Sequence, residues 1–174
     1  MILNLDKQPR EALAAIDAAG NQLTYGELCD FSNELETAMP SRSLLFLMTE
    51  NNVGGIAWSI GCMGAKQVPL ILNAHTEEGL YLNLMGIYRP PYLCVPVGNP
   101  LSEQYETVKE IYGYVLLKTG NELCPMHEEL SHLLPTSGST GSPKLVRHKY
   151  ENIEAAALNI STFFELTSND RPLL

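Results

Sequence analysis

Apolar residues along the chain come in two kinds of run. Continuous runs bounded by polar residues, in "SLLFLMT" (residues 43–49), "VPLILN" (68–73) and "YLCVPV" (92–97), have the form of strands covered on both faces. Between them apolar positions recur at helical spacing. Val53, Ile56, Ala57, Ile60 and Met63 mark a helix over residues 52–65, and "EEGLYLNLMGIY" marks another over 77–88. Strand, helix, strand, helix, strand predicts an α/β fold, a mostly parallel sheet with crossover helices.

The flanks of this core read differently. "AAIDAAGNQLTYGEL" turns at Gly20 and Asn21 and resumes at Leu23, a short hairpin feeding a helix. Thr24 and Glu27 have capping-box spacing there, and Pro40 stops the helix after about Ala38. Downstream, Gly98-Asn99-Pro100 marks a turn and "GYVLLKT" reads as a strand. A polar, acidic stretch then runs through Glu129, followed by the apolar "HLLP" and a last helix over about 151–164. No internal repeat or low-complexity tail interrupts the pattern.

Composition narrows the class. The 174 residues are 45% hydrophobic and 18% charged, enough for one globular domain with its own core. With 11 basic and 20 acidic residues the net charge is -9, which disfavours nucleic acid and anionic membrane as partners. Any bound anion must be held by a local arrangement. The longest uncharged run lies between Glu50 and Lys66, too short and too glycine-rich to span a bilayer. Cys29, Cys62, Cys94 and Cys124 are scattered, with no Cys-x-x-Cys pair and no signal peptide, which predicts reduced thiols in a cytoplasmic protein.

Two chemical signals are weak. Cys124, His127 and His132 suggest a metal site, but a five-residue histidine spacing turns the second ring about 140° away on a helix. The lone tryptophan, Trp58, has helical core spacing. The third signal is stronger. Residues 136–140 are five consecutive Gly, Ser or Thr residues, and Gly141-Ser142-Pro143-Lys144 follows. Glycines let a backbone approach an anion and aim several N–H groups at one point; hydroxyls add donors, and a lysine adds charge. Such a run is either a phosphate cradle or a solvated linker. Its shortness, the apolar strand feeding it and the Pro-Lys closure favour the cradle. It is not the usual nucleotide P-loop, in which Gly-Lys-Ser/Thr opens a helix.

"TSGSTGSPK" resembles the signature loop of the adenylate-forming enzymes, which include acyl-CoA synthetases, peptide-synthetase adenylation domains and firefly luciferase. That signature reads Thr-Ser-Gly-Ser/Thr-Thr-Gly-x-Pro-Lys, matched at every specified place by residues 136–144. "LTYGEL", "GCMGAKQVPL" (near the family's Gly-x-x-x-Ala-Gly and later Val-Pro) and "LTSNDRPLL" resemble further family segments in the same order. Two positions depart from the pattern. Leu145 stands where the family has Gly, and Tyr150 where many members have His, with His148 close by.

The resemblance implies an ATP-dependent, AMP-forming ligase that activates a carboxylic acid as acyl-adenylate, releases pyrophosphate, and passes the acyl group to coenzyme A or a phosphopantetheine thiol on an acyl carrier protein. Thr136, Ser137, Gly138, Ser139, Thr140, Gly141 and Lys144 would bind the ATP phosphates, with Thr136 facing Mg2+. It also implies that residues 1–174 are the N-terminal portion of an AMP-binding domain, lacking the adenine-binding segment, the hinge and the C-terminal domain. No catalytic residue then falls inside the chain, which is expected to be inactive alone and prone to self-association through uncovered surface. The rival expectation is a non-catalytic nucleotide- or partner-binding module that keeps the fold.

Overall fold

The computed structural model describes residues 2–136, 144–167 and 170. After a 3-10 segment (Ile2–Lys7), strands β1 (Leu13–Ile16) and β2 (Gln22–Thr24) pair as an antiparallel hairpin. Helix α1 (Tyr25–Ala38) follows at once because Thr24 caps it. The Thr24 hydroxyl accepts the Glu27 N–H at 3.2 Å, while the Glu27 carboxylate accepts the Thr24 N–H at 2.7 Å. The chain then alternates through β3 (Leu44–Thr49), α2 (Val53–Gly64), β4 (Val68–Asn73), α3 (Glu78–Tyr88) and β5 (Tyr92–Pro96), as the apolar pattern predicts. Four further strands, β6 (Glu106–Ile111), β7 (Tyr114–Lys118), β8 (Leu130–Pro135) and β9 (Leu145–Lys149), precede helix α4 (Tyr150–Phe163).

The main sheet has the order β6-β7-β5-β3-β4-β8-β9. β5, β3, β4 and β8 run parallel, and β7, β6 and β9 are antiparallel to their neighbours. Alternation along the central strands separates two cores. Leu45, Leu47 and Cys94 face α1 and α2 together with Phe31, Leu35 and Trp58. Phe46, Met48, Leu70, Leu93 and Val95 face α3 through Tyr81 and Leu84. Trp58 is fully buried as its spacing predicts, its ring N–H donating to Ile111 O at 3.2 Å. Burying one such large apolar side chain is worth about 1.5–3 kcal/mol.

The sequence pattern misses β6. Its residues, ETVKEI, are mostly exposed, because this is an edge strand whose charges discourage pairing with another chain. Lys109 on it reaches Glu34 of α1 at 2.8 Å. The turn into β7 is a two-residue one with both central residues at positive φ, Tyr112 at 53° and Gly113 at 76°. Tyr112 lacks the Asn or Asp that usually announces such a turn. Because β7 returns antiparallel to β5, the sheet is mixed on that side.

Asp17 joins the small hairpin to α2. One carboxylate oxygen accepts the N–H of Ala19 (3.0 Å) and Asn21 (2.9 Å), and the other accepts the Val53 N–H at 3.3 Å. Hydrogen bonds, first from the Asn21 side chain, hold this carboxyl below its ordinary range. α4 is held differently. Tyr150 and Ile153 pack on the α1–α2 core, whereas Leu158, Ile160, Phe163 and Phe164 are exposed. No described helix is long and apolar enough to cross a membrane.

Tight packing of α2 on the β6–β7 turn yields a test. A Cβ added at Gly54 would lie 2.1 Å from the Tyr112 carbonyl oxygen, while one at Gly86 in α3 meets nothing within 4 Å. Gly54→Ala is expected to destabilise by about 3 kcal/mol, and Gly86→Ala to stabilise by about 0.5–1 kcal/mol. Urea midpoints of the two variants check both signs.

Candidate functional site

In the chain the Gly/Ser/Thr run falls between β8 and β9, which pair as a hairpin. The ladder runs from Leu130 opposite Lys149 to Pro135 opposite Leu145, and one step beyond it Thr136 meets Lys144. The Thr136 N–H donates to Lys144 O at 2.9 Å and its hydroxyl donates to the same oxygen at 3.2 Å. The first and last residues of the predicted cradle are thus tied together, and both are exposed. Ser137, Gly138, Ser139, Thr140 and Gly141, with Ser142 and Pro143, lie outside the described residues.

The position in the sheet follows from one pairing. β8 runs parallel to β4, with Leu70 opposite Leu133. The hairpin tip therefore emerges at the carboxyl ends of the parallel strands, the edge where α/β sheets commonly place ligands. Beside it, the segment after β4 is pinned by Asn73, whose side chain accepts the His75 N–H at 2.8 Å and whose carbonyl accepts the Thr76 hydroxyl at 2.6 Å. Leu145, in place of the signature's glycine, packs against the α3-side core. That departure serves the sheet and leaves the Thr136–Lys144 closure intact.

An open groove of about 610 Å³ is bordered by Tyr25, Asn33, Glu36, Lys66, Tyr150 and Glu154. It reaches Tyr150 at the base of the β8–β9 hairpin, while Thr136 and Lys144 close the hairpin's other end. Tyr150, where the family pattern has a histidine, is an anchor here. Its hydroxyl donates to Met63 O at 3.0 Å, and Lys66 Nζ sits 4.4 Å over its ring. Burial pushes the Tyr150 hydroxyl above its ordinary pKa. Lys66 itself has φ of 60°, a left-handed conformation, at the position where the Gly-x-x-x-Ala-Gly pattern ends in glycine.

Two groups here escaped sequence reasoning. Arg42 has one guanidinium nitrogen donating to Lys66 O, while the other donates to Leu130 O and, at 2.9 Å, to His127 O. It thus pins the start of β8 to the turn before β4. A lone arginine before a strand gives no warning of three carbonyl partners far along the chain. The second group is His132, which sits on strand β8, so the helical spacing argument does not apply to it. Its ring stacks on that of His148 across the hairpin. Among the described residues no group of three or more His, Cys, Asp or Glu side chains is placed to hold a metal ion.

Solved structures share this architecture. O-succinylbenzoate coenzyme A synthetase (MenE) from Bacillus subtilis, in complex with AMP, matches 96% of the chain at a TM-score of 0.70 and 18% identity. VinN in complex with L-aspartate matches 96% at 0.71 and 20% identity. PA1221, an NRPS protein containing adenylation and PCP domains, matches 85% at 0.61 and 17% identity. The chain has the fold of the adenylate-forming enzymes. It spans 46%, 47% and 31% of those three chains respectively, so less than half of each. No family model matches the sequence, and no curated protein does. Within the adenylate-forming fold the described residues form a seven-stranded sheet whose carboxyl edge bears the β8–β9 hairpin.

The anchoring role of Tyr150 is measurable. Tyr150→Phe removes the hydrogen bond to Met63 O and retains the ring beneath Lys66. It is expected to lower stability by about 1 kcal/mol, read from denaturant midpoints, and an unchanged midpoint would show that the hydroxyl does no work there.

Proposed function

We propose that the chain is the phosphate-binding part of an ATP-dependent, AMP-forming acid–thiol ligase. The observation carrying this reading is the nine-residue Thr136–Lys144 signature, closed at its two ends by hydrogen bonds and set on the carboxyl edge of an adenylate-forming fold. In the reaction a carboxylate oxygen of the substrate attacks the α-phosphorus of ATP. The new C–O–P bond gives acyl-adenylate, and the α–β phosphoanhydride bond breaks to release pyrophosphate. A thiolate, from coenzyme A or a carrier protein's pantetheine, then attacks the acyl carbon, and AMP departs.

The loop's task is to stabilise negative charge on the departing pyrophosphate. Backbone N–H groups of Ser137, Gly138, Ser139, Thr140 and Gly141 would supply donors, and Lys144 a cation. The Thr136 hydroxyl gives its proton to Lys144 O, which leaves its oxygen lone pairs available to a cation. That suits one contact to a magnesium ion whose other ligands come from phosphate and water. Magnesium, when bound, neutralises charge on the phosphates. The carboxylic acid, the thiol acceptor and any carrier protein belong to the whole enzyme, of which the residues here form a part. A cytoplasmic setting fits this chemistry.

A second reading, a nucleotide- or partner-binding module without catalysis, is favoured by Tyr150. The residue at the family's histidine position is committed to Met63 O and Lys66.

The test uses the chain itself. Titrated with magnesium pyrophosphate and followed by amide shifts, it is expected to bind on the order of millimolar. Lys144→Ala is expected to weaken binding about tenfold with the fold unchanged, while acyl-adenylate formation from ATP and a carboxylic acid stays at background. Equal binding by both proteins would remove Lys144 from the role given to it.

A further inference from the structure

The loop-bearing hairpin has a feature that phosphate binding does not use. The imidazoles of His132 on β8 and His148 on β9 stack with centroids 4.5 Å apart and planes 1° from parallel. Ser131, the extra residue in the register shift between Leu130 and His132, is buried beneath them. Its hydroxyl donates to His148 O at 2.7 Å and lies 3.2 Å from His132 Nδ1. A hydroxyl has one proton and a carbonyl oxygen only accepts, so the second contact runs the other way, from Nδ1–H to the serine oxygen. Nδ1 of His132 therefore carries a proton, and Nε2 is where a further one must add. Parallel stacked rings aim their lone pairs edgewise and not at a common point, which is unlike a chelating pair.

Cross-strand partners share a face, and every second residue returns to it. Thr136 with Lys144, Leu134 with Val146, and His132 with His148 therefore form one row along the hairpin, the histidine pair lying about 14 Å from the loop's closing pair. Among the described residues β9 has no strand on its outer side, so it is held to the sheet through the ladder to β8, these pairs and Leu145 in the α3-side core. Besides burial, the titratable group acting on the His132 ring is His148. Arg147 and Lys149 fall on the other face of β9, and Lys149 is paired to Glu129 at 2.7 Å. On α4 the first carboxylates, Glu151 and Glu154, are exposed.

We propose that the His132–His148 stack is a proton-operated catch on the hairpin, holding β9 in register while His132 is neutral and releasing β9, and with it the Thr136–Lys144 closure, when His132 is protonated. The catch stands on the hairpin alone. Its consequence, weaker phosphate holding in acid, rests on the function proposed above.

Burial and then His148 push the His132 imidazole down from 6.5 to about 4. The folded state thus prefers the neutral ring. The stabilisation is complete above pH 6.5 and is lost as pH falls from there towards about 4. An opened hairpin whose histidine titrates normally gains roughly 30-fold in population between pH 7.5 and pH 5.

Amide hydrogen exchange of the full chain, corrected for intrinsic rates, is the deciding experiment. Between pH 7.5 and 5 the Thr136 amide, which donates to Lys144 O, and the β9 ladder amides are expected to lose roughly 30-fold in protection. Amides of Phe46 and Leu70 in β3 and β4 should hold. His132→Phe keeps an aromatic ring against His148 and should abolish the selective loss. If that variant does not fold, imidazole shifts of the wild-type chain decide: the folded His132 ring must stay neutral through pH 5 and titrate near 4, and a ring that titrates at its ordinary value overturns the catch. Loss spread evenly over the sheet, the same loss in His132→Phe, or none in the wild type each overturns the catch. Pyrophosphate is absent throughout, so failure here leaves the ligase reading untouched, and failure of Lys144→Ala leaves the catch untouched.

Discussion

The placement of the signature loop depends on one strand pairing. β8 lies parallel to β4, Leu133 beside Leu70, although more than sixty residues separate them in the chain. Without that contact the β8–β9 hairpin would be an isolated two-stranded ribbon, a structure barely stable in water. With it, the hairpin joins a sheet whose central strands are buried on both faces. Its tip then faces the same edge as the segments leaving β3 and β4. Leu133 is itself buried in the α3-side core, so the pairing is secured by apolar burial as well as by ladder hydrogen bonds.

At its base the hairpin is fastened by polar contacts. Arg42 supplies donors to carbonyls on both sides of the joint between β4 and β8, and Tyr150 reaches back to the end of α2. These anchors lie where the family pattern is broken. Lys66 takes a glycine-like conformation, costing about 1–2 kcal/mol for a residue with a Cβ. Its ammonium lies over Tyr150, the other unusual residue, where a cation–π contact offsets about half of that cost or more. Lys66 and Tyr150 are thus one local solution, a lysine and a tyrosine that brace the joint between α2 and α4.

The sequence made the parallel core legible because its rules are local. Buried strands such as "VPLILN" and capped helices such as the one after Thr24 announce themselves within a few residues. β6 was invisible for the same reason, since an exposed charged edge strand has no apolar face to display. The Gly/Ser/Thr run was legible as a motif, and the fold places Thr136 and Lys144 together. Arg42 and the histidine stack were not legible, because they depend on residues brought together only by the β8 pairings. His132 read as a failed helical ligand, when the element beneath it is a strand with a bulge at Ser131.

The reach of Arg42 has a bearing on the order in which the molecule assembles. Its carbonyl partners on the far side lie 85 and 88 residues downstream. The β8–β9 hairpin, by contrast, closes over a short stretch of chain and forms on a much faster timescale. The hairpin is thus a late passenger, made early but seated last, after β3 and β4 have built the shelf that receives it. During synthesis the shelf must wait, with Leu70 uncovered, until the polypeptide has grown past residue 133.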